Sequence, residues 1–421
     1  MIVRYANLFL DQSRGFLLKT MSYRPSSYSI DSATRLITIF TFIDGLAQGI
    51  YGTIFNLMLR TSGMPTSQVG RITSFFLWGS ALLGLVFGII ADKINKKQLM
   101  VTTHLLSIFF GTYRAISPSL IHLGISSFLF GGFSTATSIV LSTLLIIKTA
   151  RESRSKVLGL NFGIGMFTGV LGNVLGGVLG DAFPIRNVLI VASLSRIVAL
   201  VPIWKLRLYE PKYEGKKGGD TNAFKFFSVL NNLDRRATKV TLYYFLSTMS
   251  VGFGAGLFVT FGNVIFYDIF HMKPSLIGLI LALAQLATSI GAVFSYKLGK
   301  RFGEMNVLIF SYVFVPILIV LLSFIREPIT FTFVYILRFA VMNMVGPLLT
   351  ALVFSNIPPS LLSSINGMNS FINNVARALS ADLFSILTKY SNGYTLIFVV
   401  SSIFYFLNAY VMIRMYKHIS E

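Results

Sequence analysis

Six ionisable side chains, Asp44, His104, Arg196, Arg338, Arg377 and Asp382, lie inside long apolar runs of this 421-residue chain. In a bilayer each would cost roughly 2.5 kcal/mol or more, so each marks a candidate functional group whose partner has to be found. Asp44 is followed at four-residue steps by Gln48, Gly52 and Asn56, which stacks polar groups along one helix face. Counted from the outer ends of their runs at about 1.5 Å per residue, Asp44 lies at about 22 Å, Arg377 at about 16 Å, Arg338 at about 13 Å and Asp382 at about 9 Å. Arg side chains span such differences, so the expected network joins Asp44 to Arg377 and Arg338 to Asp382. Desolvation favours a protonated acid and a neighbouring guanidinium favours the ionised one. Asp44 therefore suits either proton exchange or a permanent salt bridge. Arg196 and His104 read as structural or snorkelling groups.

Asn366, Ser370, Asn373, Arg377 and Ser380 recur at steps of four and three and form a stripe that should face water or another helix bundle. Arg377 and Arg338 can bind a carboxylate or phosphate bidentately, or can hydrogen-bond between helices. Gln48, Asn56, Ser134, Ser138, Tyr243, Ser247, Tyr335 and Asn373 are candidate cavity-lining groups, although serines also bond their own helix backbone. Gly165, Gly169, Gly172, Gly176 and Gly180 share nearly one helix face and permit close helix approach, expected at a sliding interface between halves.

The elements that would position these groups are membrane spans. The chain is 54% apolar and 12% charged, about half the charge of an ordinary soluble domain. At roughly 20 residues per crossing, twelve spans are predicted near 36–59, 69–91, 98–116, 120–148, 155–182, 187–206, 239–266, 275–298, 305–325, 329–356, 360–388 and 393–416. The net charge of +21 follows the loops: 26 of the 36 Lys and Arg residues fall in the termini and the loops on their side, 7 in the opposite loops and 3 within spans. By the positive-inside rule both termini are cytoplasmic, and the charge reports topology in a cell membrane, with no nucleic-acid partner implied.

Five segments result: a cytoplasmic N-terminal segment 1–35, a six-span half 36–206, a basic linker 207–238, a second six-span half 239–416 and a cytoplasmic tail 417–421. Residues 1–35 lack the apolar core of a signal peptide, and either form an interfacial helix or begin, in effect, at Met21. Cysteine is absent, and the four histidines lack zinc-site spacing. No phosphate-cradling Gly-x-x-x-x-Gly-Lys-Ser/Thr pattern occurs. No cofactor, metal or catalytic dyad is therefore expected, and the chain reads as a non-enzyme.

The halves repeat at an offset of 208 residues. Met64-x-x-Ser67-x-Val69-Gly70-x-Ile72 returns as Met272-x-x-Ser275-x-Ile277-Gly278-x-Ile280, and Gly159-Leu160-Asn161 returns as Gly367-Met368-Asn369. With six spans per half the copies share one orientation, a parallel repeat that places substrate between the halves. Between the second and third spans stands Gly88-x-x-x-Asp92-Lys93-x-Asn95-Lys96-Lys97. With it, residues 36–416 resemble the major facilitator superfamily, departing from its pattern by having Asn95 where a glycine is usual; Asn tolerates the left-handed conformation that glycine supplies.

The resemblance implies an all-α membrane fold of twelve helices, with spans 1, 4, 7 and 10 lining a central cavity. It also implies that Asp92, with Gly88, Lys93, Lys96 and Lys97, locks the outward-facing state. Gly172-Asn173-x-x-Gly176-Gly177 resembles in part the antiporter signature of facilitator-type drug exporters, with Asn173 in place of its proline. The expected function is secondary active transport of a small molecule by a functional monomer, as proton-coupled efflux of an amphipathic compound. Uptake of an organic anion is the alternative, and a receptor or scaffold role a more remote one.

Overall fold

The computed structural model describes residues 32–91, 94–117, 119–149, 154–206, 233–358 and 361–420. The expectations for residues 1–31, for Asp92 and Lys93 and for most of the linker lie outside the described residues. Twelve helical spans follow in order: α1 Ser32–Thr61, α2 Thr66–Ile90, α3 Lys96–Ile116, α4 Leu120–Lys148, α5 Arg154–Ala182, α6 Ile185–Lys205, α7 Arg235–Phe270, α8 Pro274–Phe302, α9 Glu304–Phe324, α10 Pro328–Ser355, α11 Leu362–Leu387 and α12 Gly393–Ser420. Eleven are long and apolar enough to cross a membrane. The exception is α11, whose stripe of Asn366, Ser370, Asn373 and Arg377, with Asp382, lowers its hydropathy.

Local chemistry sets the ends and breaks. Asn95 caps α3 by accepting from the Gln98 N–H at 3.0 Å, and Asp234 caps α7 by accepting from the Ala237 N–H at 3.0 Å. Glu327 caps α10 through the Ile329 and Thr330 amides. Hydrogen bonds from the Thr330 hydroxyl and those amides hold its carboxyl below the usual range. The expectation for Asn95 is corrected: its φ is −55°, so it serves as a side-chain cap and not as a left-handed turn. In the second half the equivalent residue is Gly303, which does adopt a positive φ of 86°. Three spans are interrupted: α6 by a 3-10 turn at Arg196–Ala199, α7 at residues 259–261, and α10 at Val345 before Gly346 and Pro347.

The packing of α1 on α5 and α2 on α4 is repeated by α7 on α11 and α8 on α10. The halves meet through α2 on α11 and α5 on α8. The same offset relates these two seams: Gly70 lies against Ser385, and its equivalent Gly278 against Gly177.

On the side away from the termini, the distal side, one apolar cluster draws on both halves, from Tyr51, Phe55 and Leu77 to Phe258, Phe266 and Phe384. On the terminal side each half keeps its own cluster, around Phe40, Leu99 and Leu144 in one and Val240, Tyr312 and Met412 in the other. The halves are thus sealed distally and parted at the terminal side, where a Cβ added at Gly88, Gly159, Gly163 or Gly367 would meet nothing within 4 Å among the described residues.

Polar groups reinforce the seal. Asn263 donates to the Thr53 carbonyl at 2.8 Å, and Ser385 Oγ to the Ser67 carbonyl at 2.6 Å. Arg60 Nε lies 2.9 Å from Asp268 Oδ1, and these two residues occupy equivalent positions of the repeat. Asp268 also accepts from Thr66 and Tyr394.

A Cβ at Gly177 would sit 2.5 Å from the Pro274 carbonyl oxygen and 3.1 Å from Gly278 Cα. Overpacking of that kind costs about 1–3 kcal/mol, here charged to the distally closed state. Gly177→Val should therefore raise thiol labelling of a Ser74→Cys reporter, which is buried at the α2–α11 seam in a chain free of cysteine. Unchanged labelling would show that the α5–α8 seam does not hold the closure.

Candidate functional site

The parted halves enclose a cavity whose walls can be read from exposure. Along α11, Asn366 and Ser370 are exposed, Asn373 and Arg377 half-buried and Ser380 buried. Along α1, Gln48 and Gly52 are exposed and Asn56 is buried. Both stripes run from the open terminal side into the distal seal, so the expectation of a water-facing α11 stripe holds for its outer turns.

Asp44, one turn before Gln48, is buried and does not meet Arg377. Its Oδ1 lies 2.6 Å from Arg196 Nε and 3.9 Å from His104 Nε2, while Oδ2 accepts from Gln48 Nε2 at 2.5 Å. The reason is rotational: depth put Asp44 within reach of the Arg377 side chain, but α1 turns this face toward α3 and α6 of its own half. The Arg196 carbonyl, at the start of the 3-10 turn, faces His104 Nε2 at 3.0 Å. With two oxygen acceptors before it, Nε2 is the protonated ring nitrogen. Phe40 meets the His104 ring edge-on at 5.0 Å and Phe130 lies 5.9 Å from the Arg196 guanidinium, so the cluster has apolar walls and touches the cavity through Gln48. Arg196 and His104 are thus partners of Asp44. The signal was available in their being the ionisable groups inside other spans of the same half.

Arg338 does not pair with Asp382. It donates to the Tyr405 hydroxyl and is ringed by Phe258, Phe339 and Tyr405 at 4.8, 4.9 and 5.3 Å, whereas Asp382 accepts from Trp78 Nε1 at 3.1 Å across the α2–α11 seam. Arg114, counted with the outer loops by sequence, is buried within α3. Its guanidinium lies 3.7 Å from the Phe55 ring centre, near Tyr51, Phe76 and Phe130, and donates to Ser127 at 2.9 Å. Such aromatic faces partly compensate a cation removed from water.

Several expected lining groups serve packing. Ser247 donates to Asn408 at 2.6 Å, Tyr243 faces His418, and Tyr335 is buried among Phe258, Phe266, Phe331 and Phe339. Asn56 accepts from Thr73 on α2. Ser134 is half-buried and Ser138 exposed. Tyr244, missed by sequence, takes the Asn369 amide at 3.0 Å.

The glycine face of α5 mostly seats α1: Gly172 meets Gly49, and Gly176 meets Ile50 and Thr53. Contact with the other half comes from Gly169, Asn173, Gly177 and Gly180, Asn173 Nδ2 donating to Gln285 at 3.0 Å. In the first turn of α3, Lys97 donates to the Trp204 and Leu206 carbonyls at the end of α6, at 3.0 and 2.7 Å, a cation set against a helix C-terminus.

Two six-span halves, packed alike, are joined distally and parted at the terminal side. The Major Facilitator Superfamily profile matches residues 37–381, and the chain belongs to that family. No curated protein matches the sequence. Among solved structures, a bacterial homolog of the human lysosomal transporter Spinster, inward-facing and occupied, superposes with a TM-score of 0.72 at 12% identity, covering 91% of this chain and 96% of that one. The nucleoside transporter NupG gives 0.71 at 14% identity, covering 91% and 99%, and a D-xylose-proton symporter 0.70 at 14%, covering 89% and 97%. At these identities the likeness is one of fold.

Breaking one side of a buried ion pair costs about 3–5 kcal/mol, because the other charge is left uncompensated. Asp44→Asn and Arg196→Gln should each lower thermal stability markedly, and the double variant should lose less than the sum of the two. Additive losses would mean that the two groups are not coupled.

Proposed function

We propose that the chain is a proton-coupled secondary transporter of the cell membrane, moving a small molecule by alternating access with both termini in the cytoplasm. The observation that supports this is the Asp44 cluster. A carboxylate held by a guanidinium and an imidazole, one hydrogen bond from the cavity through Gln48, is a group whose charge can change when the cavity supplies a proton. Protonation removes the attraction for Arg196, and the loss reaches the 3-10 turn of α6 and the start of the α1 stripe together. With the termini cytoplasmic, the distal seal faces outward and the cavity opens inward. No nucleotide-binding loop is present in the sequence, so an ion or solute gradient supplies the energy.

The partial antiporter signature on α5 gives the efflux reading less support than its spelling suggests. Asn173 stands where the signature's proline would bend the helix, and it bridges the Thr53 hydroxyl at 2.8 Å and Gln285. That arrangement ties α5 to α1 and α8 and carries no preference for direction.

In proteoliposomes holding a pH reporter, wild-type protein should acidify or alkalinise the lumen when transported solutes are added, and Asp44→Asn should abolish the pH change while solute exchange persists. A pH change that survives in Asp44→Asn would remove Asp44 from the coupling mechanism. For topology, Arg301→Cys, exposed at the terminal side, should react with an impermeant maleimide after permeabilisation only, and the exposed distal Ser62→Cys in intact cells. The opposite pattern would reverse the orientation.

A further inference from the structure

The halves differ in whether a buried charge beside the cavity has an acid partner. In the first half Asp44 and Arg196 neutralise one another. In the second half Arg338 is 2% exposed and Arg377 half-buried, and among the described residues no carboxylate lies within 4 Å of either. Asp382, five residues beyond Arg377, is engaged by Trp78. The Nε atoms of both arginines are buried without a hydrogen-bond partner among the described residues. Buried charges are ordinarily paired.

The repeat shows how the second half makes room for these cations. At the positions equivalent to Asp44 and Gln48 stand Gly252 and Gly256. A Cβ at Gly252 would meet the Asn373 amide nitrogen at 3.3 Å, and one at Gly256 would meet Arg377 Cα at 3.0 Å. Where α1 projects an acid and an amide, α7 is hollowed, and α11 packs close through Asn373 and Ala376 at Gly252 and through Ser380 and the Arg377 backbone at Gly256. Phe258, two residues further along α7, carries the Arg338 guanidinium on its ring. Arg377 thus stands on the cavity stripe with a second guanidinium in the wall behind it.

We infer that this wall of the cavity binds an anionic group of the transported molecule, a carboxylate or a phosphate, with Arg377 as its direct partner, Asn373 as a neighbouring donor and Arg338 adding field from behind. The inference rests on the cavity being the substrate passage, and it is independent of proton coupling at Asp44. Guanidinium recognises both anions bidentately, so the two chemistries are separated by experiment.

The test uses purified full-length protein in detergent and a matched set of aromatic probes: benzoate, phenyl phosphate, benzyl alcohol and benzylamine. Benzoate or phenyl phosphate should raise the melting temperature in a saturable way, and the one that does so at lower concentration names the anion. Benzyl alcohol and benzylamine should leave it unchanged. Arg377→Gln should weaken the anion effect at least tenfold, Arg377→Lys should restore part of it, and Asp44→Asn should retain it. An anion effect of equal size in Arg377→Gln, an equal effect of the alcohol or amine, or no anion effect in the wild type would each overturn the inference. Loss of proton coupling in Asp44→Asn with anion binding intact would leave it standing. Benzoate binding in a protein without proton-coupled flux would overturn the coupling reading alone.

Discussion

A charge carried into a bilayer-embedded bundle must be neutralised, wrapped or wetted, and much of this structure follows from how each buried ion meets that demand. Asp44 and Arg196 neutralise one another, with His104 bound to the Arg196 backbone beside them. Arg114 is wrapped by aromatic faces and Ser127. Asp382 is held by an indole from the other half. Arg377, half-buried on the α11 stripe, meets the open cavity. Groups of the first two kinds fix the interior of one half, and those of the last two lie where the halves meet or part.

That division explains why the seal and the site are separate structures. The distal contacts combine apolar side chains with close glycine approaches and a few hydrogen bonds, among them Asn263 to Thr53 and Ser385 to Ser67. Such contacts are lost together when two rigid bodies rotate, which is what a rocking mechanism requires. The Asp44 cluster is contained in one half, so a rocking of the halves would leave its geometry intact while changing which side reaches Gln48.

The fold was legible because its signals are one-dimensional: span length, loop charge and a repeat at constant offset need no knowledge of side-chain direction. The cavity stripe on α11 was legible for the same reason. Ion-pair partners were not, because depth along a helix leaves its rotation free, and a depth difference that an Arg side chain could span carried no information about which neighbour α1 faces. The 3-10 turn that positions Arg196 has no strong sequence signature, since Arg-Ile-Val-Ala reads as ordinary helix. Asn95 shows the complementary limit: an unusual residue at a turn was read through backbone conformation, whereas its side chain caps α3.

The Arg60–Asp268 bridge joins a position to its own copy. A two-fold axis does this to any residue lying on it, and two identical charged residues there would repel. In a symmetric ancestor formed from two equal chains, this spot could hold an uncharged or self-complementary side chain, but an ion pair was out of reach. An ion pair there requires the two copies to differ, as Arg60 and Asp268 do. The bridge is therefore a lock that two identical copies could not form, and its presence marks the distal seal as asymmetric.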